Sequence, residues 1–135
     1  MTHSRWRDDY AAVVPGRAVA YARTGDGAGG GAWRADMPLE DAHGNGGLLT
    51  TVGDLMLWNR ALDEGRLGPD FTREMLQPGV LNDGRTISYA SGLFIATEPG
   101  RRAVFHSGST AGYRAWLRLH RHFLARIVAM TPAMA

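Results

Sequence analysis

The sequence predicts an α+β fold in which an antiparallel sheet is flanked by helices. Three observations predict it. Gly-rich loops dominate the start of the chain, two helix-like stretches fill its middle, and four closely spaced strand-like runs fill its last third. Strands separated by short turns pair as an antiparallel meander, because parallel pairing needs long crossovers. Helices followed by strands, without alternation of the two, is the α+β order.

Taken in order, residues 1–38 read as a hairpin and loop region. Ala18-Val19-Ala20-Tyr21 is a short strand candidate, Thr24 to Pro38 is a Gly-rich flexible turn, and Trp33 begins a return strand. Residues 39–78 form a helical segment. Thr51 and Asp54 fit a capping box, with a hydroxyl at the N-cap and an acid three residues on. Leu55, Trp58 and Leu62 follow at helical spacing and Gly65 is placed to stop the run, which predicts a helix over Val52–Glu64 with Trp58 in the core. A shorter helix is expected over Asp70–Leu76, capped by Asp70 and ended by Pro78. Residues 79–131 carry the strands: Ser91–Thr97, Arg102–His106, Tyr113–His120 and Phe123–Thr131, with Asn82-Asp83-Gly84 and Glu98-Pro99-Gly100 as turn signals. The third run alternates Tyr113, Ala115, Leu117, Leu119 with Arg114, Trp116, Arg118, His120, a half-buried strand with an Arg-rich outer face.

Composition narrows the function. The 135 residues suit a single domain, and 44% hydrophobic content excludes wholesale disorder. All 15 basic residues are Arg, and there is no Lys. These Arg residues are scattered among 13 acids, so no nucleic-acid surface is expected. The absence of Cys excludes disulfides, thiolate metal sites and Cys nucleophiles. No apolar run is long enough to span a membrane as a helix, and the charged first ten residues do not read as a signal peptide.

Three stretches could carry chemistry. Val104-Phe105-His106 runs into Ser107-Gly108-Ser109-Thr110-Ala111-Gly112, a strand edge whose backbone N–H groups are unobstructed by large side chains. His106 there could relay a proton or bind a carboxylate, although a plain connection between strands would use the same residues. His120 and His122 are spaced for a metal pair on a strand, but no third ligand is evident, and a polar turn is the better reading. His43-Gly44-Asn45-Gly46-Gly47 precedes a helix, but no Lys follows, so it is read as a close backbone approach and not as a phosphate loop. No cofactor is expected.

GNGGLLTTVGDLMLWNRAL resembles the G-x-G-G-L-x-S-T-x-x-D-L-x-x-W-x-x-A-L helix of the serine β-lactamase-like family. That family includes class C β-lactamases, D-alanyl-D-alanine carboxypeptidases (penicillin-binding proteins) and related esterases. LGPDFTREMLQP is similar to its next helix, SYASGLFI to its Y-G-L-G-W strand, and VFHSGSTAGYRAWLRLH to its third active-site motif, K-T-G or H-x-G. The resemblance covers about Leu39 to Met130. It implies the C-terminal part of a β-lactamase/transpeptidase-like fold and a serine hydrolase that forms an acyl-enzyme on a lactam, peptide or ester carbonyl. His106-Ser107-Gly108 would then stand in the K-T-G place. His106 would stabilise charge or relay a proton, Ser107 would bond a substrate carboxylate or carbonyl, Gly108 would keep the strand flat, and Ser109 would give one oxyanion N–H.

The family's S-x-x-K cannot occur in a chain without Lys, and its Y-x-N is absent. Tyr89-Ala90-Ser91 is a superficial Y-x-S at the wrong place in the order. Met1-Thr2-His3-Ser4-Arg5-Trp6 resembles an internal G-M-x-x-T-x-F stretch, and Pro132-Ala133-Met134-Ala135 stands where a final helix is expected. The expectation is therefore a single partial domain from a longer hydrolase, inactive alone. The alternatives are a non-catalytic module of the same fold that binds a ligand or partner, and a weaker one, a His-based metal hydrolase. Exposed sheet edges would favour self-association.

Overall fold

A computed structural model describes residues 1–25, 31–38, 43–120 and 126–132, with the backbone course alone for 120 and 126–132. Two small two-stranded sheets precede the helices. Arg5–Trp6 (β1) pairs antiparallel with Leu48–Leu49 (β4), and Tyr21–Arg23 (β2) pairs with Trp33–Ala35 (β3). The hairpin expected around Trp33 is thus present, with its first strand displaced from Ala18–Tyr21 to Tyr21–Arg23. The β1–β4 pairing was not anticipated.

Helix α1 spans Val52–Asp63. Thr51 sits at the N-cap and its hydroxyl accepts the Asp54 N–H at 3.1 Å, so one half of the expected capping box forms. The other half does not. The Asp54 carboxylate turns to the N-terminal segment, where it accepts the His3 N–H at 2.8 Å and the Ser4 hydroxyl at 2.7 Å. At the far end Gly65 has φ +66, its N–H reaches the Leu62 carbonyl, and the Arg66 N–H reaches Ala61 at 2.8 Å. This paired closure is the Schellman ending that the glycine signalled. The buried positions of α1 are Asp54, Asn59 and Leu62, while Trp58 is only half-buried. Helix α2 spans Pro69–Met75, with Gly68 at its N-cap. Asp70 lies in the first turn and does not cap it, because Pro69 takes the first helical position, where its missing N–H costs nothing.

The last third is a four-stranded antiparallel sheet in sequence order: Phe94–Glu98 (β5), Arg101–Thr110 (β6), Tyr113–His120 (β7) and Arg126–Pro132 (β8). The register places Ile95, Val104 and Leu119 on one face, together with Leu117. Helix α1 lies across β7 and β8. Leu62 of α1 and Leu76 just after α2 meet Leu93, Val104 and Leu119 to form the core. The opposite face carries Phe94, Phe105, Trp116 and Arg118. There Phe105 stacks on both Phe94 and Trp116, and Arg118 lies over Phe105 and pairs with Glu98. The His120–His122 turn falls outside the described residues, apart from the backbone of His120. No helix among the described residues is long and apolar enough to cross a membrane.

Asp54 is 3% exposed and fastens β1 to the start of α1. The Ser4 hydroxyl bond holds its carboxyl below the ordinary value of 3.8. Burial opposes this shift, and the His3 N–H adds to it. A depressed folded-state value means that the stabilisation is present above the unfolded value and fades as pH falls through the folded one. Asp54→Asn is therefore predicted to lower the melting temperature near pH 7, and the gap to wild type is predicted to narrow as pH falls below about 4. Thermal melts of both proteins across that range check it; a gap independent of pH would contradict it.

Candidate functional site

The candidate residues lie on the second half of β6. The strand was expected to stop at His106, but it continues through Ser107, Gly108 and Ser109 to Thr110. Registered pairing imposes this: His106 faces Leu117, Ser107 faces Trp116, Gly108 faces Ala115 and Ser109 faces Arg114. The small residues that read as turn chemistry are held in strand by β7. The turn itself is Ala111-Gly112, and Ala111 adopts φ +47 to make it.

The other flank of β6 is different. Pairing with β5 runs from Glu98↔Arg101 to Phe94↔Phe105 and ends there. Gly92, at φ +76, reverses the chain, and the Ala90 N–H closes on the Leu93 carbonyl at 2.8 Å. The polypeptide therefore leaves β6 one residue before His106. Among the described strands, none continues the sheet alongside residues 106–110.

Strand parity decides which groups face that open side. A two-residue hairpin makes its flanking pair a hydrogen-bonded one, and in antiparallel sheets such pairs alternate. Thr110↔Tyr113 flanks one two-residue turn and Glu98↔Arg101 flanks the other. Counting from either turn gives the same result. Thr110, Gly108 and His106 direct their backbone groups to β7, whereas Ser109, Ser107 and Phe105 direct theirs away from it. Phe105 meets β5. Ser107 and Ser109 present their N–H and C=O groups to the unpaired edge.

The side chains alternate in the opposite sense. Along β6 the His106 side chain alternates with those of Ser107 and Ser109, which are exposed. His106 is half-buried. Its Nε2 lies 3.1 Å from the Tyr89 hydroxyl, and its ring stacks on Phe94 at 5.7 Å between centroids. Tyr89 also meets Phe94 edge-on at 4.7 Å. The reading of the residues gave Tyr89 no part in the site. The signal available was an aromatic three residues before a Gly that could fold the chain back, and nothing in a linear pattern says onto which strand it folds.

The two glycines of the segment have different reasons. A Cβ on Gly112 would lie 2.7 Å from the Tyr21 carbonyl oxygen and 2.8 Å from its nitrogen. Gly112 also donates its N–H to the Asp36 carbonyl at 2.9 Å, and the Tyr113 hydroxyl donates to the Ala18 carbonyl at 2.6 Å. The turn is a seat for the β2–β3 hairpin. A Cβ on Gly108 would meet only the Ala115 Cβ, at 3.7 Å, an ordinary contact. No protein neighbour among the described residues explains a glycine there.

Two grooves lie elsewhere. One, of about 550 Å³, runs beside α2 and includes Arg73, Leu76 and Arg102; the other, of about 480 Å³, lies beside Leu57, Trp58 and Arg66. No cluster of three or more His, Asp or Glu that could hold a metal occurs among the described residues.

Mixed helix and antiparallel sheet in this order are compatible with part of a β-lactamase-like fold. No family model matches the chain. Over 78 residues, 57% of the chain, it is 35% identical to a D-aminopeptidase of Gluconobacter oxydans (strain 621H). That similarity supports a distant link to the serine β-lactamase and peptidase superfamily. The match covers 15% of the length of that relative.

Gly112→Ala is predicted to cost about 1–3 kcal/mol, since the new methyl forces the β2–β3 hairpin off its seat. Gly108→Ala is predicted to fall within about 0.5 kcal/mol of wild type. Urea denaturation of the two variants checks both, and equal costs would contradict the different reasons given for them.

Proposed function

We propose that this chain supplies one wall of an acyl-transfer cleft, and that the nucleophile comes from polypeptide outside this sequence. The observation that carries the reading is the free edge of β6, where no strand among the described residues pairs with the Ser107 and Ser109 backbone groups directly after His106.

Acyl transfer through a serine needs a nucleophile, a group to move its proton and donors for the oxyanion. Residues 106–109 can supply the last two. A carbonyl lying along the edge would accept the Ser109 N–H as negative charge develops on its oxygen, while the nucleophilic serine's own N–H would serve as the second donor. Ser107, exposed on the outer face, would bond a carboxylate or carbonyl of the substrate through its hydroxyl. Gly108 would let the substrate backbone approach without a Cβ between. His106 would stabilise charge or relay the proton that the serine loses and the leaving group gains. A Ser-x-x-Lys nucleophile cannot be built from a chain that has no Lys. The similarity to a D-aminopeptidase makes a peptide bond following an N-terminal D-residue the first carbonyl to try, with lactams and esters beside it.

The purified 135-residue chain is predicted to turn over no chromogenic lactam, p-nitrophenyl ester or D-alanine p-nitroanilide above buffer. A longer protein that contains this sequence and a Ser-x-x-Lys is predicted to turn over at least one, and His106→Ala in it is predicted to lower kcat by about 10²- to 10⁴-fold. Turnover by the 135-residue chain that vanishes on His106→Ala, or an unchanged rate in the longer variant, would overturn the reading. Calorimetric binding of these compounds without acylation by mass spectrometry in the longer protein would also overturn it, in favour of a binding module.

A further inference from the structure

Tyr89 is joined to His106 by a contact that the proposed cleft does not itself require. The two residues lie 17 apart and are brought together because Gly92 turns the chain back along the outer side of β5, where Tyr89 bridges to Phe94. The Tyr89 ring rests edge-on against Phe94, and the His106 ring stacks on that same Phe94. Phe94 thus fixes both rings, and the Tyr89 hydroxyl meets Nε2 at 3.1 Å.

The direction of that bond follows from the partners available. A phenol has one proton to give, and among the described residues the only protein atom within hydrogen-bond reach of the Tyr89 oxygen is His106 Nε2. A neutral imidazole has one bare nitrogen to receive it. If Nε2 carried the proton instead, the half-buried phenol O–H would be left without a protein acceptor. His106 Nδ1 has no protein partner among the described residues.

We propose that Tyr89 is a positioning residue: its hydroxyl donates to His106 Nε2 and so holds the neutral imidazole as the Nδ1–H tautomer. This rests on the reading of His106 as the group that handles charge in the cleft, and it makes that reading more specific. With Nε2 occupied by Tyr89, Nδ1 is the nitrogen left to face a substrate. His106 then enters the reaction as a hydrogen-bond donor, suited to a developing negative charge or a departing amine. The bare nitrogen that could accept a serine proton is already engaged. Between the two roles given to His106 above, the contact favours charge stabilisation.

The test reads the tautomer and not turnover, so its failure is separable from failure of the hydrolase reading. The full 135-residue chain is labelled with ¹⁵N-histidine, and the imidazole nitrogens of His106 are assigned with His106→Gln and followed at a pH where the ring is neutral. The wild-type spectrum is expected to show a protonated Nδ1 and an unprotonated Nε2. Tyr89→Phe keeps the ring on Phe94 and removes only the hydroxyl; it is expected to move His106 toward the Nε2–H form favoured by free imidazole side chains. Phe94→Leu, which loosens the stacking but keeps the hydroxyl, is expected to leave Nδ1–H the major form. A wild-type spectrum with Nε2–H, or identical His106 shifts in wild type and Tyr89→Phe, would overturn the proposal. Should either variant fail to fold, the wild-type spectrum alone still decides which nitrogen carries the proton.

Discussion

The account depends on the place where β5 parts from β6. Eight residues of β6, Ala103 to Thr110, pair with β7, but only the first three of them also pair with β5. Gly92 takes the chain away at a positive φ, and from His106 onward one flank of the strand has no strand beside it among the described residues. An unpaired strand edge is costly to leave in a protein, since it exposes backbone donors and acceptors to any passing chain. Here the exposed stretch is Ser107-Gly108-Ser109, small and polar, and it begins beside a histidine whose orientation is fixed by two aromatic rings.

The rest of the molecule holds that edge in place. Leu62 and Leu76 press on Val104 and Leu119, so the first half of β6 is rigidly seated on its inner face. On the outer face the Phe94–Phe105–Trp116 stack and the Arg118–Glu98 pair tie three strands together next to the point of departure. The hairpin β2–β3 sits on the Ala111-Gly112 turn and fixes its far end. Asp54 joins β1 to α1, so the N-terminal segment is bound to the helix that lies across β7 and β8. Asn59, fully buried on α1, directs its Nδ2 toward the Arg118 carbonyl at 3.5 Å, a polar contact inside an otherwise apolar interface.

Much of this frame was legible in the residues. Thr51, Leu62 and Gly65 mark a helix by capping, periodicity and termination, and each signal is local. Tyr113 to His120 alternates cleanly, and the β7 strand has those bounds. What escaped was long-range. Strands of two residues, such as β1 and β4, have no period to detect. Asp54 was legible as a capping acid but not as the partner of Ser4, some fifty residues away. Ser-Gly-Ser-Thr has the composition of a turn, and only the facing residues of β7 make it a strand. Trp58 was expected inside because of its size and spacing, yet the helix turns Asn59 and Leu62 inward. For the candidate site, the Gly-rich edge and His106 were visible as chemistry, and the roles given to residues 106–109 came with the family resemblance. Tyr89 needed the fold, because its meeting with His106 is made by a reversal at Gly92.

The most direct measurement is amide hydrogen exchange along β6, residue by residue, by NMR on the 135-residue chain. The account predicts an alternation: His106 and Gly108 protected by their bonds to β7, Ser107 and Ser109 exchanging near the rate of unprotected amides. Equal protection of all four would mean that the edge is covered, and the acyl-transfer cleft would have no place to lie.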